Sequence, residues 1–285
     1  MSGGSERNKL KLVIPVIILV ISVGLTAFFA AALWLDIRTT RQGQEFFEAL
    51  AAPVVPRPVI ARIAADPEPV PPYAAASGDE DEAEPEPYEP QVLVPDLDFD
   101  SLRELYPSIV GWIQSPGTVI NYPIVQGPDN EFYLYRLPNQ ARHRMGSIFL
   151  DYRNEADFSS PNIFIYGHNM SSGDKFGSFR HYRNQQFFEE HDSMFIFTPD
   201  ANYLVVLFAG YIIDSSVEVP PMGFDNEAHF DRYIADLRRR SIFRSNIEVA
   251  YGDQLVFLCT CYGAAGGPLR LILVGKLLEL DCIAF

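Results

Sequence analysis

Residues 253–263 read DQLVFLCTCYG, and residues 269–280 read LRLILVGKLLEL. Both are apolar, β-branched and aromatic runs bounded by Gly, Pro and Asp, which is the pattern of strands. Residues two apart in a strand share a face, so Phe257, Cys259 and Cys261 lie on one side, and Leu258 and Thr260 on the other. Six further runs of the same kind precede them, near 110–114, 119–126, 147–151, 162–167, 194–198 and 202–213. Two helical stretches interrupt them. One covers Phe176–Glu190 and could be broken in two. The other covers Asn226–Arg240, where Phe230, Tyr233, Ile234 and Leu237 recur at helical spacing, Asn226 is a good N-cap and Arg238–Arg240 suit the C-terminal dipole. A further capped helix opens the region at DFDSLREL and stops before Pro107. The expectation is one mainly β domain with inserted helices over residues 96–285, long enough for a sizeable core.

Outward from that domain the composition changes abruptly. Residues 51–95 hold 11 of the chain's 22 prolines, and Asp66–Pro90 carries nine acids with no Lys or Arg. Such a stretch offers too little apolar surface to offset its ordering entropy, so residues 36–95 are expected to be a disordered, Pro-rich and acidic linker, with a short polar helix over 36–50. Residues 12–35, LVIPVIILVISVGLTAFFAAALWL, are 24 residues without a charge. At about 1.5 Å per residue that helix crosses a hydrocarbon core of about 30 Å with some tilt. Arg7, Lys9 and Lys11 precede it in a tail of residues 1–11, and Trp34 stands at its far end. A cleaved signal peptide is the competing reading, because Ala30–Ala32 offers small residues, but the run exceeds a usual h-region of roughly 7–15 residues. The expected arrangement is a single-pass anchor, N-terminus in the cytoplasm and the domain outside.

The 285-residue chain carries 37 acids against 22 bases, a formal net charge of −15. That argues against nucleic-acid binding, which needs a basic footprint. Three cysteines make no disulfide framework. Cys282, in an apolar tail, reads as a small hydrophobe, and the Cys259/Cys261 pair lacks the second ligand pair of a metal site, so no metal or cofactor is expected.

Three residues could carry chemistry. Cys261 stands at a strand end before Tyr262-Gly263, where a thiol can be reached. His168 ends the run NIFIYG and can point into a groove. Arg270 begins an otherwise apolar strand, where a buried guanidinium needs a groove or partner, and its rigid fork of donors could hold an oxyanion. Each alone is more often structural. A Cys and a His far apart in sequence are what nucleophilic catalysis requires.

FLCTC at 257–261 resembles the T-L-x-T-C signature of sortases, with Phe257 in place of the leading Thr. Arg270, nine residues on and followed by hydrophobic residues, fits that family, and so does the Gly-His-Asn turn at 167–169. INYPIVQGPDNEFYL (120–134), GSIFLDYRN (146–154), IYGHNM (165–170) and the helical insertion before the last strands resemble class B sortases. The resemblance covers roughly 99–280. It implies a closed eight-stranded β-barrel with added helices. It also implies a cysteine transpeptidase in which Cys261 attacks a C-terminal sorting signal, His168 moves protons and Arg270 stabilises the oxyanion. Asn130, Leu134 and Thr260 match groove positions of that class. The implied partners are secreted proteins bearing sorting signals and an amine acceptor, from peptidoglycan or a pilin. A cysteine hydrolase of cell-wall or surface peptides, and a non-catalytic surface protein on the same barrel, are the alternatives. An amine acceptor separates the first from the transpeptidase, and dependence of cleavage on Cys261 separates the second.

Overall fold

The computed structural model describes residues 3–51, 55–63, 91–263 and 266–283. The chain divides into two compact units, residues 1–48 and 49–285. The first is helical: α1 runs Gly3–Ala51, with Pro15 inside it. Its segment Pro15–Ala51 reaches a mean hydropathy of 2.7, the one helix among the described residues long and apolar enough to cross a membrane. The polar stretch over 36–50 is helical as expected and continues α1 without a break: it contains no Pro, and its one Gly, Gly43, is carried inside the helix.

The second unit is built on one sheet. Its strands are β1 (Val55–Ile63), β2 (Gln91–Asp96), β3 (Ile109–Gln114), β4 (Asn121–Gln126), β5 (Ile148–Leu150), β6 (Asn162–Tyr166), β7 (Ser193–Phe197), β8 (Asn202–Asp214), β9 (Leu255–Cys261) and β10 (Leu269–Ile283). In the order β10-β8-β7-β3-β4-β5-β6-β9, with β9 paired back onto β10, eight of them close a barrel. Two pairings are parallel, β4 with β5 and β6 with β9, so the barrel is mixed. Its eight strands are the eight read from the sequence.

Two strands fall in the stretch expected to be linker. β1 pairs with β2 over Val55–Ile60, and with the far end of β10 over Ile60–Ile63. Pro56 and Pro58 belong only to the part paired on one side, where a missing N–H can face outward at no cost. The apolar PVIARI run that follows them supplies the β-formers. Residues 64–90, most of the acidic stretch, lie outside the described residues.

Helices fill the crossovers. α2 (Phe99–Leu105) is capped by Asp98, whose carboxylate accepts from Ser101 N at 3.0 Å. A 3-10 turn over Phe132–Tyr135 lies between β4 and β5. Another over Gly177–Arg183 and α3 (Gln185–Glu190) lie between β6 and β7, so the Phe176–Glu190 stretch is indeed split. α4 (Glu227–Arg240) fills the crossover from β8 to β9, its N-cap Asn226 accepting from His229 N at 2.9 Å. Phe230, Ile234 and Leu237 bury its apolar stripe against Phe208, Tyr211, Phe257 and Cys259. Each side chain so buried contributes about 1.5–3 kcal/mol. β9 therefore has barrel interior on one face and α4 over the other, which is why LVFLCT is apolar throughout instead of alternating.

Candidate active site

Strand pairing brings the three separated residues together. In the antiparallel β9–β10 ladder Cys261 is directly opposite Arg270. On its other side β9 runs parallel to β6, with Cys259 beside Tyr166. The turn after β6 is then fastened to β9 at three points. Gly167 N donates to Cys259 O at 3.1 Å, Thr260 Oγ1 donates to Gly167 O at 2.7 Å, and Asn169 Nδ2 donates to Cys261 O at 2.9 Å. His168 lies between two of these ties, at the level of Cys261.

The two thiols of the C-x-C pair differ sharply. Cys259 is buried within the cluster under α4, and burial pushes its thiol far above the ordinary range. Cys261 ends the strand, partly exposed and unbridged. A nucleophile must be reached, and of this pair only Cys261 is exposed enough for that.

His168 is held from above by a backbone carbonyl. Its Nε2 lies 2.6 Å from Leu134 O, and the Tyr135 ring stands 5.4 Å from its own. A carbonyl only accepts, so Nε2 carries the proton and a neutral ring keeps its lone pair on Nδ1. Burial lowers the His168 pKa, the Leu134 hydrogen bond partly opposes this, and the charge of Lys175 adds to the lowering.

The Leu134 carbonyl owes its place to the 3-10 turn. Asp129 Oδ1 accepts from Glu131 N at 2.9 Å and Phe132 N at 2.7 Å, starting the turn. Gly146 closes against it with φ +54°, and a Cβ there would stand 2.2 Å from Leu134 O, so only glycine fits. Asn130 ties the turn to β5: its Nδ2 donates to Asp151 Oδ2 at 2.9 Å, and its Oδ1 accepts from Tyr152 N at 3.1 Å. Asp151, wholly buried, also accepts from Arg153 N and Nε at 2.9 Å, Arg153 Nη2 at 2.7 Å and Tyr166 OH at 3.0 Å. Burial pushes its carboxyl up, but these donors outweigh it and hold it down to about 2.

Arg270 folds over its own loop, Nη1 donating to Gly267 O at 2.7 Å and Leu269 O at 2.9 Å. Among the described residues the rest of its fork makes no further hydrogen bond. The loop after β8 is fastened to the same corner. Ser215 N donates to Pro268 O at 2.9 Å, and Glu218 accepts both Nη atoms of Arg240 on α4 at 2.7–2.8 Å.

Of the six residues singled out in the sequence, His168, Cys261 and Arg270 converge on one corner of the barrel. Leu134 joins them through its carbonyl. Thr260 is buried and Asn130 has both ends of its amide engaged, so both fasten the scaffold. Sequence reasoning missed Asp151, Gly146 and Lys175. An acid directly after an apolar strand (IFLD) was the available signal for Asp151. Among the described residues no group of three or more His, Cys, Asp or Glu is disposed to hold a metal ion.

No protein-family model matches the chain. Sortase B of Listeria monocytogenes is 34% identical over 160 residues, 56% of this chain and 65% of that protein. Sortase B of Staphylococcus aureus is 30% identical over 184 residues, 64% of this chain and 75% of that protein. A crystal structure of S. aureus sortase B matches with a TM-score of 0.61 at 29% identity, covering 64% of this chain and 78% of that one. With the closed mixed barrel and the Cys261–His168–Arg270 corner already in place, these likenesses establish that the chain belongs to the sortase B family of cysteine transpeptidases.

Proposed function

We propose that this protein cleaves a C-terminal sorting signal through a thioester on Cys261 and transfers the released carbonyl to an amine. The observation that carries the reading is the strand register that sets Cys261 opposite Arg270 and beside the His168 turn. Neutral His168 accepts the Cys261 thiol proton at Nδ1, and the thiolate attacks the signal's peptide carbonyl. The oxyanion forms beside the free part of the Arg270 fork. Collapse expels the amine, which takes the proton from His168, and leaves the thioester. The incoming amine loses its proton to His168, attacks the thioester and regenerates the thiol.

The acceptor we infer is a peptidoglycan cross-bridge amine or a pilin lysine. Asn130 and Thr260 serve the groove by fixing its walls, and Leu134 by lining it and orienting His168. The apolar part of α1 is assigned as a single-pass anchor with the N-terminus cytoplasmic and the barrel outside. Residues 96–285 carry the eight barrel strands of the catalytic domain, and the Pro-rich acidic stretch before them links it to α1 while adding β1 and β2 to its sheet. Tethering enzyme and secreted substrate to one membrane raises their effective concentration.

Structural neighbours include a sortase B–substrate complex and a sortase B complexed with Gly3. The test follows: mix the protein with sorting-signal peptides (N-P-x-T-N, N-P-x-T-G, L-P-x-T-G) and triglycine, and follow products by mass spectrometry. A conjugate that needs Cys261 supports transpeptidation. Free carboxylate alone, with triglycine saturating, would favour a hydrolase.

A further inference from the structure

Beside His168 lies a cavity of about 500 Å³, within the range of small-ligand sites. Two of its lining residues are neighbours of the imidazole. The Leu134 carbonyl is 2.6 Å from His168 Nε2, and the Tyr135 ring is 5.4 Å from the imidazole ring. Arg136 and Arg142 line the same cavity, and they face each other across an antiparallel bridge. The bonds that flank the bridge are His143 N to Tyr135 O and Leu137 N to Ala141 O, both at 3.0 Å. That pattern makes it a non-hydrogen-bonded pair, the kind in which side chains stand closer. Like charges directly opposite destabilise a strand pair. The tight turn joining the two arginines also puts Gln140 in the left-handed region at φ +63°, which a side chain seldom adopts. Two unfavourable features thus hold two guanidinium groups together.

Among the described residues neither guanidinium meets a carboxylate or a hydrogen-bond acceptor. Arg136 lies over the Phe132 ring instead, its Cζ 4.7 Å from the centroid, a contact that steadies the group and spends none of its N–H donors. Asp129 and Glu131 complete the charged lining. Two acids against two bases leave no net charge, so a polyanion gains little here. A single carboxylate between the two guanidinium groups meets both of them.

We propose that this cavity is the acceptor subsite and takes a short peptide amine carrying a free carboxylate: Arg136 and Arg142 hold the carboxylate, and the peptide runs past Tyr135 to bring its amine to the Cys261 thioester. No bond is made or broken in the cavity. The amine gives its proton to His168, and its nitrogen displaces the Cys261 sulfur from the acyl carbon. A lysine side chain on a folded protein brings no such carboxylate, so the acceptor narrows to a peptide of the cross-bridge kind. The proposal rests on the reading of Cys261 as the thioester carrier.

The test uses the full chain in detergent micelles. The Cys261 thioester is formed with a sorting-signal peptide, and its discharge is followed by intact mass in a single turnover. The acceptors are triglycine and triglycinamide, which share an amine and differ in the carboxylate. At subsaturating concentration triglycine should discharge the thioester about tenfold faster, the worth of one charge-assisted contact. Arg142→Gln should bring triglycine to within about twofold of triglycinamide, and Arg142→Glu should make triglycinamide the better acceptor. Arg142 is exposed, so both variants are expected to fold, and Arg136→Gln repeats the test from the other side of the bridge. A triglycine preference that survives in folded Arg142→Gln and Arg136→Gln overturns the proposal and places the carboxylate at another cation. A thioester that the two acceptors discharge equally, or not at all, removes this proposal alone. No thioester on Cys261 with any sorting-signal peptide removes the reading of Cys261 and this proposal with it.

Discussion

Replacing Asp151 with Asn keeps the shape of the side chain and removes its charge. Five donors now converge on that carboxylate, three of them from Arg153. The variant amide offers one oxygen, and turns an NH2 group toward donors that need an acceptor. Breaking a buried ion pair from one side costs about 3–5 kcal/mol. The Arg153 side chain is 42% exposed, however, so its charge can rehydrate, and the expected loss is nearer 2–3 kcal/mol. For a domain of this size that lowers Tm by roughly 5–10 °C. The folded carboxyl sits at about 2 against an ordinary 3.8, so its stabilisation is present in full above 3.8 and lost as pH falls toward 2. The gap between wild type and Asp151→Asn, measured by urea denaturation, should be constant from pH 7 to 5 and close below pH 4. Asn130 is released by the same change, so the Leu134 carbonyl loses its hold and cleavage should slow by more than the unfolded fraction explains. A gap under about 0.5 kcal/mol, or one that is the same at pH 3 and pH 7, would refute this account of the network.

Three further outcomes follow from the geometry. Cys259→Ser should keep substantial transpeptidation, because that thiol is buried beneath α4; a rate as low as that of Cys261→Ala, at equal stability, would reverse the assignment. Arg270→Lys should lose about tenfold to a hundredfold in kcat with little change in folding, since the planar fork becomes a point charge; wild-type kcat would exclude an oxyanion role. Gly146→Ala forces a Cβ into the Leu134 carbonyl. It should depress kcat and lower the His168 midpoint, because the Leu134 hydrogen bond that opposes the effect of burial is lost, read by NMR titration; unchanged values would show that the carbonyl does not position the imidazole.

The eight barrel strands were legible because each is a short run of β-formers between turn residues. β9 and β10 were the clearest, being buried on both faces. The convergence of Cys261, His168 and Arg270 was legible as three strand-end residues, though only the register shows that Cys261 and Arg270 oppose each other. β1 was hidden because Pro56 and Pro58 argue against a strand, and only the pairing shows that they occupy its one-sided end. Asp151 and Lys175 were hidden for a different reason. Charged residues read as surface in a sequence, and their burial depends on partners such as Asn130, Tyr166 and Tyr122, which lie 15 to 53 residues away. Gly146 carried no signal until the Leu134 carbonyl was placed against it.

The most direct measurement is intact-mass analysis of the protein incubated with a sorting-signal peptide, with and without triglycine. The account predicts an acyl adduct on Cys261 that triglycine discharges as a peptide–triglycine conjugate, with neither species formed by Cys261→Ala. Conjugate formed by Cys261→Ala, or an adduct mapped to Cys259, would contradict it.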